Sequence, residues 1–294
     1  MVLVCGGDED PNVQRLLDRL RGRRLEATAV LVGAGSHPSV VWDIQGDRLV
    51  VDGHPIRPAA AFIRYDVFTN LSDSRPSSAY RANAWYSTLM AWIRAHPRVR
   101  SFNARTDGSL LKAEVLVEAR RNGFEIPRTL VTNDLKFLVE GVPVDEWVVK
   151  PVTGGEYCQP LGPMVAGAER KRDVAAAPAI VQERLVGPDV RIYRIGNTFA
   201  AFAIHSSALD YREDESCRLD YLPKPPAGIV GKLRELSDRL ALDFLAADFK
   251  HCPLTGRLKF LEINTAPMFL AFDLASDGRI TDAIISHLTR TARR

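Results

Sequence analysis

The stretch Phe260-Leu261-Glu262-Ile263-Asn264 sets an acid and an amide among large apolar residues. Shortly before it, Leu245-Ala246-Ala247-Asp248-Phe249 does the same with one acid. Apolar alternation marks both as strands, and Pro253-Leu254-Thr255-Gly256-Arg257 between them reads as a hairpin turn. Pairing then brings Asp248 beside Glu262 and Asn264. Two carboxylates and an amide oxygen are hard ligands. They suit a Mg2+ ion that keeps some waters and also grips phosphates, with Mn2+ an alternative occupant. The competing reading is a hairpin with a polar solvent face, which leaves an acid and an amide between large apolar residues without a reason.

Further upstream, Lys150 follows Val148 and Val149 and precedes Pro151, Thr153, Gly154 and Gly155. A lysine at a strand end offers a fixed ammonium, and a glycine-rich turn lets backbone N–H groups approach phosphate oxygens. This is not a P-loop, because the lysine precedes the glycines. Gln182-Glu183-Arg184-Leu185 leads out of a strand and can present its backbone to an adenine edge. Glu183 and Asp189 are candidates for ribose hydroxyls, or are surface acids. Asp189, Arg191 and Tyr193 share a strand face. Arg191 there balances phosphate charge or pairs with an acid. Arg212 sits in the polar stretch Leu209 to Glu215, expected to be a mobile loop. It reaches over a substrate or pairs with a neighbouring carboxylate.

The elements that must place these groups read as an α/β chain. With 294 residues and 46% hydrophobic content, the chain can bury a substantial core in two or three subdomains. The net charge of +3, from 39 basic and 36 acidic residues, gives no case for nucleic-acid binding. Cys5, Cys158, Cys217 and Cys252 form no CxxC pair, so a reducing cytoplasm is the expected compartment. The amino terminus turns acidic at Asp8, unlike a signal peptide, and no run approaches the roughly 20 apolar residues of a membrane span. Val2–Cys5, Ala27–Val32 and Ala60–Asp66 read as strands around a helix over Pro11–Arg23. Val40–Gln45 and Arg48–Asp52 suggest a hairpin. Helices follow around Tyr86–Ile93 and Leu111–Asn122, the latter stopped by Gly123. Short strands are expected at Val99–Asn103, Pro127–Thr132, Trp147–Pro151 and Ala179–Leu185. A tight turn at Gly196-Asn197 joins two more, and helices cover Ile229–Leu242 and Thr281–Thr289. Gly167 to Pro178 reads as a flexible connection.

Taken in order, these motifs resemble the ATP-grasp superfamily: a lysine in a helix, a lysine at a strand end with glycines, a Gln-Glu edge, Asp-x-Arg, Asp, then Glu-x-Asn. The resemblance covers roughly Asn103 to the C-terminus. Within it, Leu111-Lys112 followed by Gly123-Phe124-Glu125-Ile126-Pro127-Arg128-Thr129-Leu130-Val131-Thr132-Asn133-Asp134 is similar to the graspetide (microviridin-type) peptide ligases and to the glutamate ligase that tails a ribosomal protein. Asp210-Tyr211-Arg212 resembles their Asp-Trp-Arg, with tyrosine in place of tryptophan. Arg64-Tyr65-Asp66 is similar to the Arg-Lys-Asp of the glutathione synthetase branch.

The resemblance implies a two-lobed α+β ATP-grasp fold behind a parallel α/β domain. It places a substrate domain at 1–100, the small lobe at 101–180 and the large, metal-bearing lobe at 181–294. It implies that Lys112 and Lys150 hold ATP phosphates, that Gln182 to Leu185 line adenine, and that Asp248, Glu262 and Asn264 hold magnesium. Arg191 would spread phosphate charge, while Arg212 and Arg64 would neutralise a carboxylate or oxyanion. The implied activity joins a carboxylate to an amine or hydroxyl through an acyl phosphate, on a peptide or amino-acid-derived substrate. The alternatives are a small-molecule amino-acid ligase, a phosphoryl transfer that stops at a phosphorylated product, and a nucleotide- or peptide-binding module without chemistry. A homodimer is left open.

Overall fold

A computed structural model describes residues 1–33, 36–68, 75–106, 110–153, 157–167 and 173–290. The first third opens with β1 (Val2–Gly7), α1 (Pro11–Gly22) and β2 (Ala27–Val32). It continues with β3 (Val40–Asp43), β4 (Arg48–Val51), β5 (His54–Ile56), β6 (Ala60–Ile63) and α2 (Pro76–Ala95). Strands β2-β1-β6 form a parallel sheet. Every residue of β1 is buried, as expected of a parallel strand covered on both faces. Val2 and Val4 pack with Leu16 and Leu20 of α1. Leu3 and Cys5 pack on the opposite side with Leu89, Trp92 and Ile93 of α2. Asp10 caps α1 by accepting from the Asn12 N–H at 2.8 Å.

The middle third contains α3 (Lys112–Arg121), β7 (Thr129–Asp134), α4 (Leu135–Gly141), β8 (Trp147–Pro151), β9 (Gln159–Pro160), α5 (Leu161–Gly167) and β10 (Val174–Glu183). Gly123, at φ +80°, supplies the left-handed residue that ends α3. Strands β7-β10-β8-β9 make an antiparallel sheet. Its back is a small core of its own, with Trp147, Val149 and Val181 against Leu138 and Leu161.

The last third contains β11 (Asp189–Ile195), β12 (Thr198–His205), β13 (Arg218–Leu222), α6 (Ile229–Arg239), β14 (Phe244–His251), β15 (Leu258–Asn264), α7 (Leu270–Ala275) and α8 (Arg279–Thr289). Strands β13-β12-β11-β14-β15 form an antiparallel sheet. Gly196, at φ +58°, opens the two-residue turn between β11 and β12. Alternation sends Val190, Ile192, Leu245, Ala247 and Phe249 to a core closed by α3 and α6. Tyr193, Ile195, Phe202, Phe244 and Ala246 go to the other face. There they share one core with β1, α1, α7 and α8. No helix among the described residues is long and apolar enough to cross a membrane.

Four sequence expectations change. Val99–Asn103 makes only a bridge between Arg100 and Ala60, and Asn103 has φ +52°, which breaks an extended chain. The Asn103 amide instead bonds the backbone of Asp243 and Phe244. The connection expected over Gly167 to Pro178 is already strand from Val174, while residues 168–172 lie outside those described. The stretch Leu209–Glu215 contains a short 3-10 turn, Tyr211–Glu213, tied down by Asp210 and Asp214. Strands β5, β9 and β13 and helices α5 and α7 were not legible in the pattern.

Candidate active-site cleft

The two antiparallel sheets face each other across a cleft of about 670 Å³, within the range of small-molecule sites. Val148, Lys150 and Gln182 line one wall. Their strand pairings, Gln182 opposite Val148 and Ile180 opposite Lys150, put them on the face turned away from the Trp147 core. Asp189, Arg191, Asp248, Lys250, Glu262 and Asn264 line the other wall, on the Tyr193 face of the five-stranded sheet.

The register of β14 and β15 sets the acids. Asp248 pairs with Glu262, but Phe249 pairs with Phe260, so Leu261 is an extra, bulged residue. Strict alternation would put Phe260 on the face of Glu262 and Asn264. The bulge lets Phe260 enter the core behind the sheet while both polar groups stay in the cleft. Asp248 is also opposite Arg191 on β11, which donates to both its oxygens at 2.7 Å. Burial opposes the Arg191 charge. The Asp248 carboxylate outweighs it and holds the guanidinium pKa well above its ordinary value. The cation is also packed against the rings of Tyr211 and Phe272, at 5.4 and 5.3 Å. Arg191 therefore takes the acid-pairing alternative.

Lys112 starts α3 and brings its Nζ to 3.9 Å from Glu262. Asn264 Oδ1 accepts from the Ala266 N–H at 3.0 Å, which orients the amide and leaves an acceptor lone pair. Among the described residues no cluster of three or more His, Cys, Asp or Glu could hold a metal. The donor set at Asp248, Glu262 and Asn264 has two carboxylates and one amide, on one face, with ammonium groups facing it. That set fits a hard divalent ion that takes its remaining ligands from water and phosphate.

The Gln182 side chain is buried and donates to Thr129 Oγ1 at 2.9 Å, and its backbone lies in β10 between Thr129 of β7 and Val148 of β8. Leu185 is buried and Arg184 exposed at the same edge. Glu183 is held by Lys259, and Asp189 by Lys250 at 2.9 Å. Burial raises the Asp189 pKa, with the Lys250 charge opposing. Arg212 donates to both oxygens of Asp210, at 2.8 and 2.5 Å. Burial works against the Asp210 charge, but these bonds prevail and hold its pKa below the ordinary value. Gly154 and Gly155 lie outside the described residues.

Arg64 is the candidate that does not reach the cleft. Its side chain is 2% exposed, bound to Asp10 at 2.5 Å and to the carbonyls of Ala266 and Pro267 at 3.1 and 2.9 Å. It braces the loop that follows Asn264 and cannot touch a carboxylate in the cleft. Lys250, Lys259 and Tyr157 escaped the sequence reading. Lys250 was within reach, two residues past Asp248 on the same strand face. The partners of Lys259 and Tyr157 are distant in the chain and leave no local signal.

No protein-family model matches the chain, and no match was found among curated proteins. Solved structures do match over nearly its whole length. The ATP-grasp ligase PsnB complexed with a minimal precursor is 27% identical, covers 97% of this chain and 98% of that one, and has a TM-score of 0.76. PsnB complexed with minimal precursor, Mg and ADP gives 25%, 98%, 97% and 0.75. The macrocyclase MdnC bound with precursor peptide MdnA, from Microcystis aeruginosa MRC, gives 17%, 99%, 100% and 0.74. The chain thus has the ATP-grasp ligase fold expected from the order of its motifs.

Proposed function

We propose that this ATP-grasp chain is an ATP-dependent ligase that joins a carboxylate to an amine or hydroxyl on a peptide, as part of natural-product biosynthesis. The observation that carries it is the pairing of Asp248 with Glu262, beside Asn264, with Lys112 3.9 Å from Glu262 and Lys150 on the opposite wall of a ligand-sized cleft. The likeness to PsnB in complex with a precursor, and with Mg and ADP, supports a peptide substrate and these cofactors.

A substrate carboxylate oxygen attacks the γ-phosphorus of ATP, forming an acyl phosphate and releasing ADP. The nucleophile attacks the acyl carbon, loses its proton, and phosphate leaves with the C–O bonding pair. Such transfers depend on positioning and charge neutralisation. Lys112 and Lys150 bind phosphate oxygens. The segment Gln182 to Leu185 meets adenine. Glu183 and Asp189 accept from ribose hydroxyls once they exchange Lys259 and Lys250 for the nucleotide. Asp248, Glu262 and Asn264 would hold Mg2+, which would supply positive charge against the terminal phosphates. Arg191, by donating to both carboxylate oxygens of Asp248, keeps it aimed into the cleft. Arg212 offers a planar cation to the substrate carboxylate.

We further propose the division at residues 100 and 180 into substrate domain, small lobe and large lobe. Four unpaired cysteines suit a reducing cytoplasm. The test is Mg2+-dependent ADP release with glutamate- and aspartate-containing peptides, with hydroxylamine present to trap an acyl phosphate as hydroxamate. Hydroxamate formation is the expected result. A phosphorylated peptide that hydroxylamine leaves intact would assign a kinase-like transfer, and no ADP release with any acid would assign a binding module.

A further inference from the structure

The Asp210–Arg212 turn belongs to the large-lobe side of the cleft, yet it is touched from the opposite side. Tyr157 and Cys158 immediately precede β9, which pairs with β8, the strand that carries Lys150. The Arg212 guanidinium carbon lies 4.7 Å from the centre of the Tyr157 ring. The backbone of Cys158 also interacts with the Asp210 carboxylate. Asp210 takes the Nε and Nη2 edges of the guanidinium, and its carbon sits over the Tyr157 ring. Among the described residues no hydrogen bond engages Nη1, and Arg212 lines the cleft. Asp210, in the same turn as Arg212, meets the other lobe at the backbone of Cys158. Among the described residues, Tyr157 is the side chain of that lobe that meets the Arg212 guanidinium itself.

We propose that Tyr157 is a positioning residue: it holds Arg212 from across the cleft, so that fixing the carboxylate-binding arginine depends on the lobe that carries the nucleotide's phosphate lysine. The roles of Lys150 and Arg212 rest on the functional reading above. Nucleotide bound at Lys150 would steady the lobe that carries Tyr157, keeping the ring on Arg212 and readying the arginine for the acid before the acid binds. The conservative substitution keeps the contact, because a phenylalanine face attracts a guanidinium as well.

The experiment needs only the whole chain, ADP and Mg2+. Hydrogen exchange is followed over residues 210–216, and ADP·Mg binding is measured by calorimetry. In the wild type and in Tyr157→Phe, saturating ADP·Mg should slow exchange of this stretch by roughly threefold or more. Tyr157→Ala should still bind ADP·Mg, weakened by about two- to fivefold as expected for one exposed cation–π contact, while exchange at 210–216 no longer responds. Tyr157 is 47% exposed, so its truncation opens no core. Protection retained in Tyr157→Ala overturns the proposal, as does wild-type binding without protection. Failure of the wild type to bind ADP·Mg at all overturns the functional reading and this proposal with it.

Discussion

Two carboxylates only one strand apart carry different burdens. Asp248 balances a guanidinium that is 7% exposed, whereas the ion-pair partner of Glu262 among the described residues is Lys112, at 3.9 Å, with Arg212 adding a more distant attraction. Glu262→Gln should therefore abolish ATP turnover and leave thermal stability within about 0.5 kcal/mol of wild type. Asp248→Asn should abolish turnover and also destabilise, because Arg191 keeps its charge without a counter-ion. Removing one partner of a buried pair costs roughly 3–5 kcal/mol. The Asp248 side chain is 16% exposed and asparagine retains an acceptor, so the loss should be on the order of 2 kcal/mol. Activity assays paired with thermal melts separate the two roles, and equal melting of both variants would refute the distinction. That Asp248, Glu262 and Asn264 share one face was legible because the signal is local: an acid and an amide stood out against apolar neighbours. What Arg191 and Arg64 do was not legible. Their partners, Asp248, Asp10 and the carbonyls of residues 266 and 267, are fixed by strand register and by contacts some 55 to 200 residues away.

At the scale of elements, alternation and helical spacing found the strands and helices that build continuous cores. They missed the short edge strands, whose pairing comes from their neighbours rather than from their own pattern. The bulge at Leu261 was likewise invisible, since only the register of β14 fixes it. The last helix shows how one side chain can tie an element down. His287 on α8 stacks on Phe102 with ring centres 4.2 Å apart, and its Nε2 is buried with no hydrogen-bond partner among the described residues. Burial is the main reason its pKa is lowered. Arg100 and Arg290 add to that effect, and Asp243 and the Ser101 backbone oppose it. A histidine whose folded pKa is depressed binds its proton more readily when unfolded. It thus contributes stability above the ordinary 6.5 that is lost as pH falls through the folded value. The melting temperature should decline as pH is lowered from 7 towards 5. His287→Phe, which keeps a ring against Phe102, should flatten that decline, and an unchanged slope in the variant would show that other groups govern it.

For the molecule as a whole, the site exists only where two sheets from different parts of the chain meet. Its ligands should therefore be read in global stability. A ligand at one hundred times its Kd stabilises the folded state by about 2.7 kcal/mol. ADP with Mg2+ should raise the melting temperature by several degrees at that saturation. ADP with a chelator should do markedly less, and the reason is electrostatic. Asp248 is neutralised by Arg191, but Glu262 faces the cleft with its side chain 36% exposed and Lys112 only at ion-pair distance. Glu262 is the more loosely paired carboxylate of the two, so phosphates approaching it are repelled unless a divalent ion lies between them. Glu262→Gln removes one of those charges. Metal-free ADP should then bind the variant at least as well as it binds wild type, while the extra stabilisation from Mg2+ shrinks. Thermal shifts across the four combinations of protein and metal measure that interaction directly. If magnesium adds the same increment with glutamate or glutamine at this position, Glu262 is not a ligand, and the reading of the cleft must shift to another set of oxygens.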